Sequence, residues 1–257
     1  MQTRPVRCMA DLNDASALVT GATRGIGKGI AEALAEAGAT VAVNHPPGER
    51  DAAEAVVESI SESGGEAFPL CADVSDADDV EAMIDQFTER EGAVDVLVNN
   101  AGILTQTRLA EMSVETWDET IDVDLRGVFL TTRFALPGML DQGHGRIINV
   151  ASQLGIKGGT ELVHYSAAKG GVIAMTRALA REVSPEVTVN AIAPGPIETD
   201  LLDDISEEWR AEKEAELPMG RLGRVEDVAP TAVFLAGEGG NYYTGQTLSP
   251  DGGDAMH

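Results

Sequence analysis

The sequence predicts an α/β protein, a parallel sheet covered by helices on both faces and built as one domain. Three observations predict it. Short apolar runs alternate with longer amphipathic stretches along almost the whole chain, the pattern of repeated strand–helix units. A glycine-rich segment joins the first apolar run to the first helical one, as at a nucleotide-binding βα turn. No linker, repeat or low-complexity tract divides the 257 residues, a length that one large α/β domain fills.

Taken in order, residues 1–14 carry early arginines with no apolar run behind them. They read as a loosely docked extension rather than a signal peptide, and leave 15–257 as the domain. Seven strand candidates follow: 16–20 (SALVT), 40–44 (TVAVN), 66–70 (EAFPL), 94–99 (VDVLVN), 145–150 (GRIINV), 187–192 (VTVNAI) and 245–250 (GQTLSP). Pro69 inside the third lacks a ladder donor and suits an edge strand. Helical patterns fill most gaps, at Gly27–Ala37, Arg50–Ser63, Asp76–Arg90, Val114–Leu140, Tyr165–Val183 and Val225–Ala236.

Charge limits the function classes. There are 43 acidic against 18 basic residues, a formal net charge of -25. That sign opposes nucleic-acid binding. No apolar run approaches a membrane span, so no membrane partner is expected. The acids are dispersed, as in 73–91 and 203–216, which argues against a specific acidic tail and for a solvated surface adapted to a salt-rich cytoplasm. Cys8 and Cys71 form no metal or redox motif, consistent with a reduced cytoplasmic setting, and no metal site is expected.

The stretch 164–171, HYSAAKGG, places one of three tyrosines four residues before one of four lysines. In a helix these positions share a face, so the phenol of Tyr165 and the ammonium of Lys169 point the same way. A cation beside a phenol favours the phenolate and brings it toward acid–base use. Spacing alone favours an incidental surface pair, so the rest of the chain must decide. At 19–30, VTGATRGIGKGI, the glycines Gly21, Gly25 and Gly27 have the spacing G-x3-G-x-G. They permit a tight turn and close backbone approach ahead of a helix whose N-terminal N–H groups can face a pyrophosphate.

TGATRGIG (20–27), NNAG (99–102), INVAS (148–152), YSAAK (165–169) and APGPIET (193–199) stand in the order found in the short-chain dehydrogenase/reductase family. The chain resembles that family from about Ala15 to Gly253, and its classical branch most, which includes 3-oxoacyl-carrier-protein reductases and glucose 1-dehydrogenases. The resemblance implies a doubly wound Rossmann sheet of seven parallel strands in the order 3-2-1-4-5-6-7, and a homotetramer. It implies that Tyr165 is the general acid/base and that Lys169 lowers its pKa and bonds the nicotinamide ribose. Ser152 would orient the substrate oxygen, a hydroxyl suited to a developing alkoxide. Asp124, in VDLRG (123–127), stands where the family often has Asn. It loses the amide donors and adds a negative charge near Lys169. It is either a member of the catalytic set or a further surface acid on the long helix, and it alone supports a binding-only regulator that has lost turnover.

For the cofactor, the resemblance implies contacts from Gly21, Thr23, Arg24, Gly25, Ile26 and Gly27. Further contacts are implied from Asp73 and Val74 at the adenine and from Asn100, Ala101 and Gly102 beneath it. Pro194, Gly195, Ile197 and Thr199 would reach the carboxamide end. His45 takes the place at the end of the second strand where NAD-preferring relatives carry Asp. With no carboxylate there, and Arg24 able to meet a 2′-phosphate, NADP(H) is favoured modestly and NAD(H) stays possible. The substrate is a small carbonyl or alcohol, met by Ser152, Leu154, His164 and Tyr165 and by loops at 103–106, 153–164 and 200–220. A 3-oxoacyl thioester and a sugar or polyol compete. Lys157 and Arg108 are the only cations near the site that could serve an anionic carrier.

Overall fold

The computed structural model describes residues 11–199 and 206–256. Seven strands form one parallel sheet: β1 (Ser16–Val19), β2 (Thr40–His45), β3 (Glu66–Cys71), β4 (Val96–Asn99), β5 (Gly145–Val150), β6 (Val187–Ile192) and β7 (Thr247–Leu248). Their order is β3-β2-β1-β4-β5-β6-β7, and every neighbouring pair is parallel. Pro69 lies on β3 at the sheet edge, as its missing donor requires.

The helices are α1 (Gly25–Glu36), α2 (Arg50–Glu62), α3 (Ala77–Glu91), α4 (Val114–Ile121), α5 (Gly127–Gln142), α6 (Leu154–Lys157), α7 (Val163–Val183), α8 (Glu207–Glu216) and α9 (Val225–Ala236). Strand alternation sorts the core into two layers. Ala17, Val19, Val41 and Val43 pack with Ile30 and Leu34 of α1, Val56 of α2 and Val228 of α9. Leu18, Ala42 and Leu97 turn the other way, onto Met83 and Phe87 of α3, Met139 of α5 and Val183 of α7. Burial on both faces explains why these strands are apolar almost throughout.

Four expectations need correction. The single helix at Val114–Leu140 is two helices joined by a π-helical turn, Asp122–Arg126, in which the Gly127 N–H bonds the Asp122 carbonyl. The seventh strand is shorter than 245–250, only Thr247–Leu248. Helix α8 was not expected because it buries no residue and so carries no apolar stripe. Finally, residues 11–14 are not loose: Leu12 is buried in the core and its N–H bonds the Ala37 carbonyl at 2.8 Å. Residues 1–10, including Cys8, lie outside the described residues.

Candidate active site

The sequence-predicted site residues gather at one edge of the sheet. The segments after β1 (Gly21–Gly27), β2 (His45), β3 (Asp73, Val74), β4 (Asn100–Gly102), β5 (Ser152) and β6 (Pro194–Thr199) all lie at the strands' carboxyl ends. A parallel sheet opens its crevice there, where loops leave for opposite faces.

The glycine turn is locked to its neighbours. Gly21 has φ +59°, and a Cβ there would stand 2.8 Å from the Ala101 Cα. The Asn100 side chain donates to the Thr20 and Gly21 carbonyls at 3.0 and 2.9 Å, so a Cβ on Gly27 would come within 2.3 Å of its Nδ2. The Gly21 N–H reaches the Asn44 Oδ1 at 3.1 Å. The result is a bare backbone cradle at the start of α1. Thr199 closes it from across the cleft, with its Cγ2 3.5 Å from where a Gly25 Cβ would lie. Ile197 bridges Gly223, Gly195 abuts the Asp251 backbone, and the Pro194 carbonyl accepts from the Gln153 N–H at 3.0 Å. Asp73 spends its carboxylate on the Ser75 N–H and hydroxyl, at 2.9 and 2.7 Å, fixing the loop beside buried Val74.

Tyr165 and Lys169 share one face of α7, with the Lys169 Nζ 5.6 Å from the phenol ring centre. Lys169 is buried, donates to the Val150 carbonyl at 3.2 Å and pairs with the Asp124 Oδ2 at 3.3 Å. Asp124 is fully buried, and its Oδ1 accepts from the Ile103 N–H at 2.8 Å. It is therefore not a surface acid. Gly102 makes room for the pair: a Cβ there would sit 3.1 Å from the carboxylate and 3.2 Å from the ammonium. The Ser152 hydroxyl accepts from the Leu154 N–H at 3.1 Å and faces the phenol, whose pKa it helps to lower.

Burial raises the Asp124 carboxyl, and Lys169 offsets this only in part. Burial works to lower Lys169, but the charges of Asp124 and Tyr165 outweigh it and hold the ammonium above its usual range. Tyr165 departs from expectation. Its phenol lies above the ordinary value because burial raises it, Lys169 pulls it down, and Asp124 pushes it up again. The phenol is accordingly protonated at neutral pH.

Two further expectations change. His164 is not an open pocket residue: it is completely buried, and its Nε2 meets the hydroxyl of Thr105, an exposed residue of the 103–106 loop, at 2.9 Å. Lys157 and Arg108 are not free cations, since Lys157 pairs with Asp254 at 2.8 Å and Arg108 with Glu161 at 2.9 Å. Asp254 also takes Lys213 of α8 at 2.8 Å, tying together α6, α8 and the C-terminal segment around the cleft. Of the loop 200–220, residues 200–205 lie outside the described residues. Sequence reasoning missed Glu49, whose carboxylate meets Thr23 and Arg24 beside the glycine cradle at 2.7 and 3.0 Å. Its only signal was its place just after the Pro46–Gly48 turn.

Residues 21–254 match the model of a family described as enoyl-(acyl carrier protein) reductase. The chain is 46% identical over 242 residues to a 3-oxoacyl-[acyl-carrier-protein] reductase, FabG, of Staphylococcus aureus, covering 94% of this chain and 98% of that one. It is 45% identical to the 3-oxoacyl-[acyl-carrier-protein] reductase of Synechocystis, covering 96% and 100%. Among solved structures, a short-chain dehydrogenase/reductase of the glucose/ribitol dehydrogenase type from Brucella melitensis superposes with a TM-score of 0.90 at 33% identity, covering 96% of this chain and 99% of that one. A short-chain type dehydrogenase/reductase from Mycobacterium marinum also gives 0.90, at 38% identity, covering 95% and 97%. The nicotinamide dinucleotide that such relatives imply fits the residues present. A glycine cradle that a Cβ would obstruct, set before a helix N-terminus, offers backbone N–H groups to a pyrophosphate. Matched over nearly its whole length in sequence and in sheet, the chain belongs to the short-chain dehydrogenase/reductase family and is an NAD(P)-dependent oxidoreductase.

Proposed function

We propose that the protein reduces the ketone of a 3-oxoacyl thioester to a secondary alcohol, with Tyr165 as proton donor. The observation that carries this reading is the convergence of a protonated phenol on a half-buried ring, its Ser152 neighbour and the buried Lys169 ammonium beside the glycine cradle. The named activity of relatives 46% and 45% identical supports the substrate class. Ser152 holds the substrate oxygen in place. Tyr165 delivers its proton to that oxygen as charge develops on it, and takes one back in the reverse direction. Lys169 keeps a positive charge beside the phenol, offsetting the phenolate formed when the proton leaves. A nicotinamide dinucleotide held by the glycine cradle would supply the hydride. Asp73 and Val74 bound the adenine end, Asn100–Gly102 the floor, and Pro194, Gly195, Ile197 and Thr199 the opposite wall.

For the cofactor we favour NADP(H) over NAD(H), by a modest margin. Arg24, although paired with Glu49 at 3.0 Å, keeps a 63% exposed side chain at the mouth of the cradle, and His45 puts no carboxylate at the end of β2. The sugar or polyol reading draws on the likeness to a glucose/ribitol dehydrogenase, but the burial of His164 removes the side chain that would have read extra hydroxyls. Nicotinamide fluorescence in molar KCl, with acetoacetyl thioesters, aldoses and simple ketones against both cofactors, tests the proposal. The expected result is the highest kcat/KM for an acetoacetyl thioester with NADPH. Faster turnover of an aldose would overturn the substrate reading.

The setting proposed is a salt-rich cytoplasm, and the assembly a homotetramer. The first rests on the net charge of -25, spread over exposed acids such as Asp78, Asp79, Glu81 and Asp85 of α3 and Glu207, Glu208 and Glu212 of α8. Salt shortens the reach of such repulsion from ~10 Å at 0.1 M to ~3 Å at 1 M. Helical circular dichroism should fall on dilution into low-salt buffer and return in molar KCl. An unchanged melting temperature across that range would sink the halophilic reading. No described helix is long and apolar enough to cross a membrane.

A further inference from the structure

The end of β2, where a carboxylate would select the cofactor's ribose, is filled by a side chain turned away from that task. His45 is buried, and its Nδ1 meets the Pro46 carbonyl at 2.9 Å. The chain then reverses through Pro46, Pro47 and Gly48 (φ +93°), and the Glu49 N–H bonds the Pro46 carbonyl at 3.3 Å. This turn returns Glu49, at the head of α2, to the glycine cradle. There both its oxygens are engaged: Oε2 accepts from the Thr23 hydroxyl at 2.7 Å, and Oε1 from the Arg24 Nη1 at 3.0 Å.

Thr23 and Arg24 are the side chains that immediately precede α1, and Arg24 is the fork of donors that a 2′-phosphate would need. An anion already holds them. The bond from Thr23, then the charge of Arg24, keep the Glu49 carboxyl below the usual range against its partial burial, so it is ionised at any working pH. We propose that Glu49 sets the choice between NAD(H) and NADP(H): it accepts a hydrogen bond from an unphosphorylated ribose and withholds Thr23 and Arg24 from a 2′-phosphate. This rests on the cofactor site proposed above. It also explains why the preference for NADP(H) is modest, since the phosphate must first displace a carboxylate of like charge. Because the contacts are direct, they are weakened by molar salt but outlast the long-range attraction that it screens.

The test is equilibrium binding without substrate, in molar KCl, on wild type, Glu49→Gln, Glu49→Ala and Arg24→Ala. Nicotinamide fluorescence reports NADPH and NADH, and thermal protection reports 2′,5′-ADP against ADP. Both Glu49 variants should bind NADPH and 2′,5′-ADP about three- to fivefold tighter, the scale of one exposed charge contact, and NADH more weakly. Arg24→Ala should lose NADPH affinity and spare NADH. If wild type binds both dinucleotides and the two Glu49 variants leave their affinity ratio within about twofold, less than the change expected, the proposal is wrong while the cofactor site stands. If wild type binds neither, both readings fall. Circular dichroism on both variants separates loss of fold from loss of selectivity.

Discussion

Replacing Tyr165 with Phe is expected to lower turnover by about 10²–10⁴-fold, the usual contribution of a positioned acid–base, while cofactor binding stays close to wild type. The substitution removes one hydroxyl from a half-buried ring and leaves its packing on α7. The Lys169 ammonium keeps its bonds to the Val150 carbonyl and the Asp124 carboxylate, so the cradle is not disturbed. Ser152 remains bonded through the Leu154 N–H and still orients a carbonyl, but the phenol proton is gone. Steady-state rates with an acetoacetyl thioester, paired with nicotinamide binding, check this. Half of wild-type activity in Tyr165→Phe would refute the proposed chemistry, and a parallel loss of binding would mean that the ring holds the cofactor rather than moving a proton.

The sheet was legible because its strands are buried on both faces and so appear as uninterrupted apolar runs, and Pro69 marked the edge. What stayed hidden lacks that signature. The π-helical turn at Asp122–Arg126 leaves the apolar pattern of Val114–Leu140 continuous, so two helices read as one. Helix α8 is polar on every side. In the site, spacing could show that Tyr165 and Lys169 share a helix face; that Asp124 brings charge near them was implied by the family resemblance, and the 3.3 Å pair agrees. It could not show the balance of effects on the phenol, because burial is a property of the packed fold. Nor could adjacency place His164. One residue along a helix is a rotation of about 100°, which buries it beneath the 103–106 loop, onto Thr105. Glu49 was missed because a turn, not a strand position, delivers it.

Asp124→Asn should move the pH dependence of the reaction toward acid in both directions. The groups around the phenol are Lys169 on α7, Ser152 after β5, and Asp124 on the π-helical turn, with His164 adding a weak influence on Asp124. Burial raises the phenol first, Lys169 lowers it, and Asp124 raises it. Removing the carboxylate charge takes away a raising influence and leaves Lys169 uncompensated, so the phenol loses its proton at lower pH. Carbonyl reduction needs the protonated phenol, and its alkaline limit should therefore move down. Alcohol oxidation needs the phenolate, and its acidic limit should move down as well. At neutral pH oxidation should rise relative to reduction, on the order of tenfold for each pH unit of displacement on the limb. Asn keeps an oxygen for the Ile103 N–H, whereas Asp124→Ala leaves that donor unpaired and should cost stability without moving the limbs beyond the Asn variant. The ultraviolet signal of tyrosinate, taken as the difference from Tyr165→Phe to remove Tyr242 and Tyr243, reads the same displacement without turnover. A structural role for Asp124 would depress the rate at every pH and leave both limbs where they were. Limbs and tyrosinate signal that coincide with wild type would show that the carboxylate has no hold on the proton.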